Sequence, residues 1–365
     1  MSKQRVILLG KLPPPYMGPA IATGIILNSE LARRFDLIFL NVKANDSIDT
    51  LGKWNLSKIF KNVGIYFNLF GLIIRHRPHL VLIPISQTST GFVKDSVFIL
   101  ISKLLGRKVI VQLRGSNFKN WLASASGSVN RYVRFVLKRT QGVIVLGNNL
   151  RHLFGDFYRP EQIFVVPNGA NYQVPQRNVS SDEPRILYLS NLLASKGIQD
   201  VFDALVILSQ KNVRYSADFI GEWLHDDTKA YCLDLVKRYH LPVRIHTSAE
   251  SKNKFQYLAN ADVFVFPPRD PEGHPWSVVE AMAAGLPVIS TDQGAIVESV
   301  QDGVNGFIVP PGNPAAIAEK LQTLLMDKSL REAMGKQSRS LYLNNFTEAN
   351  MVENFSRTFQ SVIGH

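Results

Sequence analysis

Short apolar runs rich in Val, Ile and Leu alternate with longer stretches whose apolar positions recur every three or four residues, almost from end to end of the chain. The runs Arg5 to Leu9, Leu37 to Val42, Leu80 to Pro84, Lys108 to Leu113 and Gly142 to Leu146 read as strands, with helical patterns between most of them. Strand then helix, repeated, predicts a parallel sheet covered on both faces. Around Asn171 to Pro184 the periodicity gives way to Pro, Asn, Ser and charges, which predicts a linker. A second series follows at Arg185 to Leu189, Tyr215 to Ile220, Val243 to Thr247, Val263 to Pro267, Pro287 to Thr291 and Gly306 to Val309. The fold class is therefore α/β: two doubly wound, Rossmann-like domains in tandem, residues 1–172 and 185–345, joined by 173–184. Ligands of such sheets bind at the carboxyl ends of the strands, so a site in a cleft between facing domains is expected.

Composition narrows the classes. The 365 residues are 45% hydrophobic and 19% charged, which excludes a disordered or fibrous chain and suits two domains. Cys232 is the single cysteine, and Cys/His metal spacings are missing, so neither a disulfide nor a metal centre is expected and a reducing cytosol is. The apolar run Val6 to Leu9 is too short for a signal-peptide core. The stretch Val63 to Ile74, broken by Asn68 and Gly71, falls short of the roughly 20 residues that span a bilayer and reads as a packed helix. The net charge of +12 is unevenly spread. Residues 1–180 carry 24 basic and 7 acidic side chains, whereas 181–365 carry 17 and 22. Within Ile101 to Leu150, where Asp and Glu are missing, Arg131, Arg134 and Lys138 recur at helical spacing opposite Val133, Val136 and Leu137. An anionic partner is expected on the N-terminal half.

The segment from Ala261 to Pro310 carries the most chemistry. A buried strand, Val263 to Phe266, leads through a Pro-, Asp- and Gly-containing loop into a helix with Pro275 in its first turn and Gly285 past its end. Its N-terminus would emerge at the carboxyl edge of the sheet, where free N–H groups and the dipole favour an anion. Glu272 precedes the helix and Glu280 lies inside it. Carboxylates beside an anion site suit hydroxyl groups, such as those of a ribose and a sugar, and repel phosphate.

The pattern E-G-x-x-x-x-x-x-E-A-M-A-x-G-x-P-V, from Glu272 to Val288, resembles the signature of the family 4 (group 1) glycosyltransferases of GT-B fold. Further stations in the same order are the first-strand loop Leu12 to Ala20, V-V-P-N-G-A at Val165 to Ala170, I-L-Y-L-S-N-L-L-A-S-K-G-I at Ile186 to Ile198, and F-I-G at Phe219 to Gly221. The resemblance implies retaining, metal-independent transfer of a sugar from a nucleotide diphosphate sugar, with no further cofactor, to an acceptor held mainly by the N-terminal domain. It implies that Glu272 binds donor-sugar hydroxyls, that Glu280 binds the ribose diol and that Lys196 neutralises the diphosphate. Gly18, Gly273, His274, Trp276, Ser277, Asn191 and Gly221 fall at donor-binding positions, and a C-terminal helix over 346–365 packs back on the first domain.

The chain departs from the family pattern in three places. Asn191 stands where the family often has Arg, so one diphosphate cation is missing, with Arg114 or Arg269 as candidates to replace it. His274, Pro275 and Trp276 replace the usual Phe, Gly and Leu, and the proline removes an N–H donor. Arg114 occupies a slot that holds His in many members; it suits a charged acceptor or donor sugar but cannot act as a general base. The expected enzyme is a cytoplasmic glycosyltransferase, peripheral on the inner membrane face, that uses a UDP-sugar and a saccharide or lipid-linked acceptor in surface polysaccharide synthesis. A sugar-nucleotide epimerase needs more acid/base groups than His274 and Glu272 offer. A nucleic-acid binding protein needs interleaved aromatic and basic residues that are missing here, so no nucleic-acid partner is expected.

Overall fold

The computed structural model describes residues 3–14, 17–42, 56–178, 183–247 and 253–364. Residues 15 and 16 of the first-strand loop and 179–182 of the linker segment lie outside them. The chain divides into two compact units, Met1–Ala170 with Glu348–His365, and Asn171–Thr347.

The first unit holds a six-stranded sheet of β1 (Arg5–Gly10), β2 (Asp36–Asn41), β3 (Leu80–Pro84), β4 (Lys108–Gln112), β5 (Gly142–Val145) and β6 (Ile163–Val165). The order is β2-β1-β3-β4-β5-β6 and every pairing is parallel. Its inner strands carry the buried apolar runs Val6–Leu9, Leu80–Ile83, Val109–Val111 and Val143–Val145, as expected of a sheet covered on both faces. β6 is an addition to the five strands that the pattern predicts. The last helix, Glu348–Gly364, buries Met351, Val352, Phe355, Phe359 and Val362 with Val6, Leu8, Leu80 and Leu82 of this sheet. Lys108 Nζ donates to the Ile363 carbonyl near the end of that helix at 2.9 Å.

The second unit repeats the plan with β7 (Arg185–Leu189), β8 (Ser216–Ile220), β9 (Val243–His246), β10 (Val263–Phe266), β11 (Val288–Ser290) and β12 (Gly306–Ile308) in the order β12-β11-β10-β7-β8-β9, again all parallel. Its core spans Ile186, Tyr188, Phe202, Phe219, Phe264 and Met282. The described part of the linker segment is fastened to this unit: Arg177 clasps Asp262 through two bonds of 2.9 and 3.1 Å, and Asn178 N donates to Asn260 Oδ1. Strand order reverses between β7 and β10, so the loops leaving these two neighbours diverge and open a crevice at their carboxyl ends.

Candidate functional site

The crevice beside β7 and β10 gathers the chemistry of the second unit. The loop after β7 ends in a short turn, Ala194–Lys196, and the loop after β10 carries Arg269 to Pro275. Backbone bonds from Arg269 and Asp270 N–H to the Ser195 carbonyl, at 3.0 and 3.2 Å, tie the loops together. The result is an ion pair between Lys196 Nζ and Glu272 Oε1, whose side chains are 30% and 13% exposed. Two residues 76 positions apart in the chain thus form one partly exposed ion pair.

The helix Trp276–Ala283 starts beside this pair, with Pro275 at its N-cap, one residue outside the first turn that the sequence predicts for it. Proline has no N–H to offer there, whereas the first-turn amides of a helix lack intrahelical acceptors and point where an anion is favoured. Glu280, further inside the helix, is 4% exposed and accepts from Lys254 Nζ at 2.7 Å. The Tyr172 hydroxyl lies alongside without forming a hydrogen bond of normal geometry. Burial pushes the Glu280 carboxyl above the usual carboxylate range, and Lys254 pulls it back. Burial, then Glu280, raise the Tyr172 phenol far above its ordinary value.

Other expected residues fall differently. His274 is 3% exposed, with Nε2 2.6 Å from Ser299 Oγ and its ring 5.1 Å from that of Phe346. Burial lowers its pKa to about 4, so the imidazole is neutral at physiological pH. The His274 side chain anchors the loop from inside. Trp276 is likewise buried, while Ser277 is half-buried and Asn191 is exposed after β7. The Arg269 guanidinium, the other candidate for the missing cation, is 41% exposed and held by the buried Asp200, with Nε 2.7 Å from Oδ2. Gly18 begins the helix Gly18–Asn28 and Arg114 follows β4, both in the first unit.

Two glycines bring the loops together. A Cβ on Gly221 would sit 1.8 Å from the Ser190 carbonyl oxygen, so β8 approaches the loop after β7 as only glycine permits. Gly294 has φ +60 and packs on the backbone of Glu272 and Gly273, while the neighbouring Ala295 N–H donates to the Gly273 carbonyl at 2.7 Å. Gly294, Lys254, Tyr172 and Asp200 are parts of the site that sequence reasoning missed. The D-x-G turn at Asp292 to Gly294 was the available signal for the first, and the other three carry none.

Comparison with known proteins fits this arrangement. Residues 172–341 match the family model described as glycosyl transferases group 1. The N-acetyl-alpha-D-glucosaminyl L-malate synthase of Bacillus anthracis is 24% identical over 270 residues, 70% of this chain and 68% of that protein. The capsular polysaccharide biosynthesis glycosyltransferase CapM of Staphylococcus aureus is 30% identical over 162 residues, 44% of this chain and 41% of that one. HepE of Anabaena, solved in complex with UDP, superimposes with a TM-score of 0.75 at 18% identity, covering 98% of this chain and 100% of that one. With the doubly wound sheets and these matches in hand, residues 172–341 are similar to the group 1 glycosyltransferases and the chain has the GT-B fold.

Proposed function

We propose that the protein performs retaining, metal-independent transfer of a sugar from a nucleotide diphosphate sugar, with uridine as the favoured base and no other cofactor, to a saccharide or lipid-linked acceptor of surface polysaccharide synthesis. The observation that carries this reading is the Lys196–Glu272 pair beside the N-terminus of the helix Trp276–Ala283. Breaking the anomeric bond builds negative charge on the β-phosphate of the leaving diphosphate. A lysine and helix amides already in place stabilise that charge more in the transition state than in the ground state, and so do the work a divalent cation does elsewhere. Glu272 then accepts from donor-sugar hydroxyls and Glu280 from the ribose diol. The complex of HepE with UDP and the capsular role of CapM support the donor and the pathway class.

Thermal unfolding with UDP, GDP or ADP tests the donor half. UDP at about 100 times its Kd is expected to add about 2.7 kcal/mol of stability. Glu280→Ala should lose most of that gain, since it removes the diol acceptor while Lys254, 36% exposed, remains solvated. Unfolding that ignores all three nucleotides would reject this reading.

The first unit favours an acceptor presented at an anionic membrane from the cytoplasmic side. Among the described residues no helix is long and apolar enough to cross a membrane. The helices Leu56–His76, Ser89–Leu104 and Gly127–Leu137 instead adjoin in one layer, tied by Tyr66 Oη to the Lys94 carbonyl at 3.2 Å and by Ser96 Oγ to Tyr132 Oη at 2.7 Å. Contrary to the expectation of a fully packed helix, Val63, Phe67, Phe70 and Ile74 form an exposed stripe at helical spacing, with Phe67 71% exposed. Arg131, Arg134, Lys138 and Arg139 are exposed on the third helix and its end, and between residues 51 and 155 the one acidic residue is the buried Asp95. An exposed apolar stripe and exposed cations on one layer of helices suit an anionic membrane surface, and each well-placed cation adds about 1 kcal/mol. Cosedimentation with phosphatidylglycerol vesicles, falling as salt rises, is expected for the wild type, and Phe67→Ser with Phe70→Ser should abolish most of it. Equal partition of wild type and variant would remove the membrane from the reading.

A further inference from the structure

The first unit has its own strand-order reversal, between β1 and β3, and a cavity of about 260 Å³ opens there. Leu12, Ile26 and Ile85 give it apolar walls, and Lys11, Lys94, Asp95 and Arg114 supply all of its charge. Asp95 is 7% exposed, and one of its oxygens, Oδ2, already accepts from Ser86 N at 2.8 Å and Ser86 Oγ at 2.6 Å. None of the three cations forms an ion pair within 4.0 Å among the described residues. Among the described residues the side-chain bond of Arg114 is long, 3.5 Å from Nη1 to Asn168 Oδ1. Burial, with Lys94 adding to it, lowers the Lys11 pKa, and burial lowers that of Arg114 to about 10. Three cations, Lys11 exposed and Lys94 and Arg114 half-buried, stand against one carboxylate around an apolar cavity, and an entering anion would relieve that excess of positive charge.

We propose that this cavity binds an anionic group, a phosphate or carboxylate carried on an apolar stem, through Lys11, Lys94 and Arg114, and that the acceptor of the transfer reaction carries that group. The volume suits a head group with the first few carbons of its stem. Arg114 provides the planar fork for two anion oxygens, while the two lysines act as point charges. The naming of the ligand as acceptor rests on the function proposed above; the anion site itself stands on the cavity and its charges.

Calorimetric titration with geranyl diphosphate, succinate and the uncharged octyl glucoside tests it, with UDP titrated in parallel. The wild type is expected to bind geranyl diphosphate or succinate and to ignore octyl glucoside; the first assigns a lipid phosphate and the second a small carboxylate as the source. Lys94→Met should weaken the anionic probe by at least about tenfold, the loss of one charge-assisted contact, and leave UDP affinity unchanged. Asp95→Asn should keep or tighten anion binding, which separates charge from misfolding. The site is overturned if Lys94→Met weakens UDP as much as the probe, if Asp95→Asn weakens the probe as Lys94→Met does, or if no anionic probe binds. Loss of UDP binding by the wild type would overturn the donor reading alone.

Discussion

Replacing Lys196 by alanine is expected to lower kcat at saturating donor by about 10² to 10³, the scale for removing one donor that stabilises developing oxyanion charge, or roughly 3 to 4 kcal/mol. Arg269 is held by the fully buried Asp200, whereas the partner of Lys196, Glu272, is itself partly exposed. Once donor hydroxyls engage Glu272, the ammonium can turn to the diphosphate without leaving a carboxylate bare. The lysine therefore contributes at the transition state and little to ground-state binding, so kcat should fall much further than KM rises. Both side chains are partly solvated, so the thermal midpoint should barely move. Glu272→Gln should act differently, raising KM for the donor sugar while leaving UDP binding intact, because the amide accepts at one oxygen only. A wild-type kcat for Lys196→Ala would sink the lysine's assignment.

What the chain discloses on reading depends on whether the signal is local. Eleven strands are visible because each is an apolar run between turn residues, and burial on both faces is a property of the run itself. β6 escapes because Ile163–Val165 is short and sits at the sheet edge, where three residues carry no period. Glu272 and Glu280 stand out through the glycine, proline and helix signals between them. Lys254 does not, since a lone lysine at the start of a seven-residue helix looks like any surface lysine until folding sets it 2.7 Å from Glu280. The two candidates to replace the cation missing at Asn191 were indistinguishable in sequence. Only the fold shows that Asp200, 69 residues away, already holds Arg269. For His274 the residue type suggested chemistry, yet the direction of a side chain in a proline-flanked loop depends on the core it meets, here Ser299 and Phe346. The exposed stripe of the helix Leu56–His76 was read as packed because periodicity reports which positions are apolar and not which face finds a neighbour.

Gly294→Ala is expected to cost activity on the same scale as loss of the lysine, although residue 294 needs no contact with substrate. The new Cβ would lie 2.0 Å from the Glu272 carbonyl oxygen and 2.6 Å from that of Gly273, and both are backbone atoms that cannot rotate aside. The loop carrying Glu272 must shift, and a displacement of about 1 Å at a catalytic group is enough to cost roughly 10²-fold. Alanine at φ +60 adds about 1 to 2 kcal/mol of backbone strain, so the thermal midpoint should drop as well. Gly303 separates the two effects, because it has φ +73 and nothing within 4 Å of its would-be Cβ. Gly303→Ala should therefore show the strain alone, with a lower midpoint and near-normal transfer. If Gly294→Ala loses stability without losing more activity than Gly303→Ala, the loop does not depend on this contact for its position. If it loses both, the geometry of Glu272 is set by the close approach of two backbones.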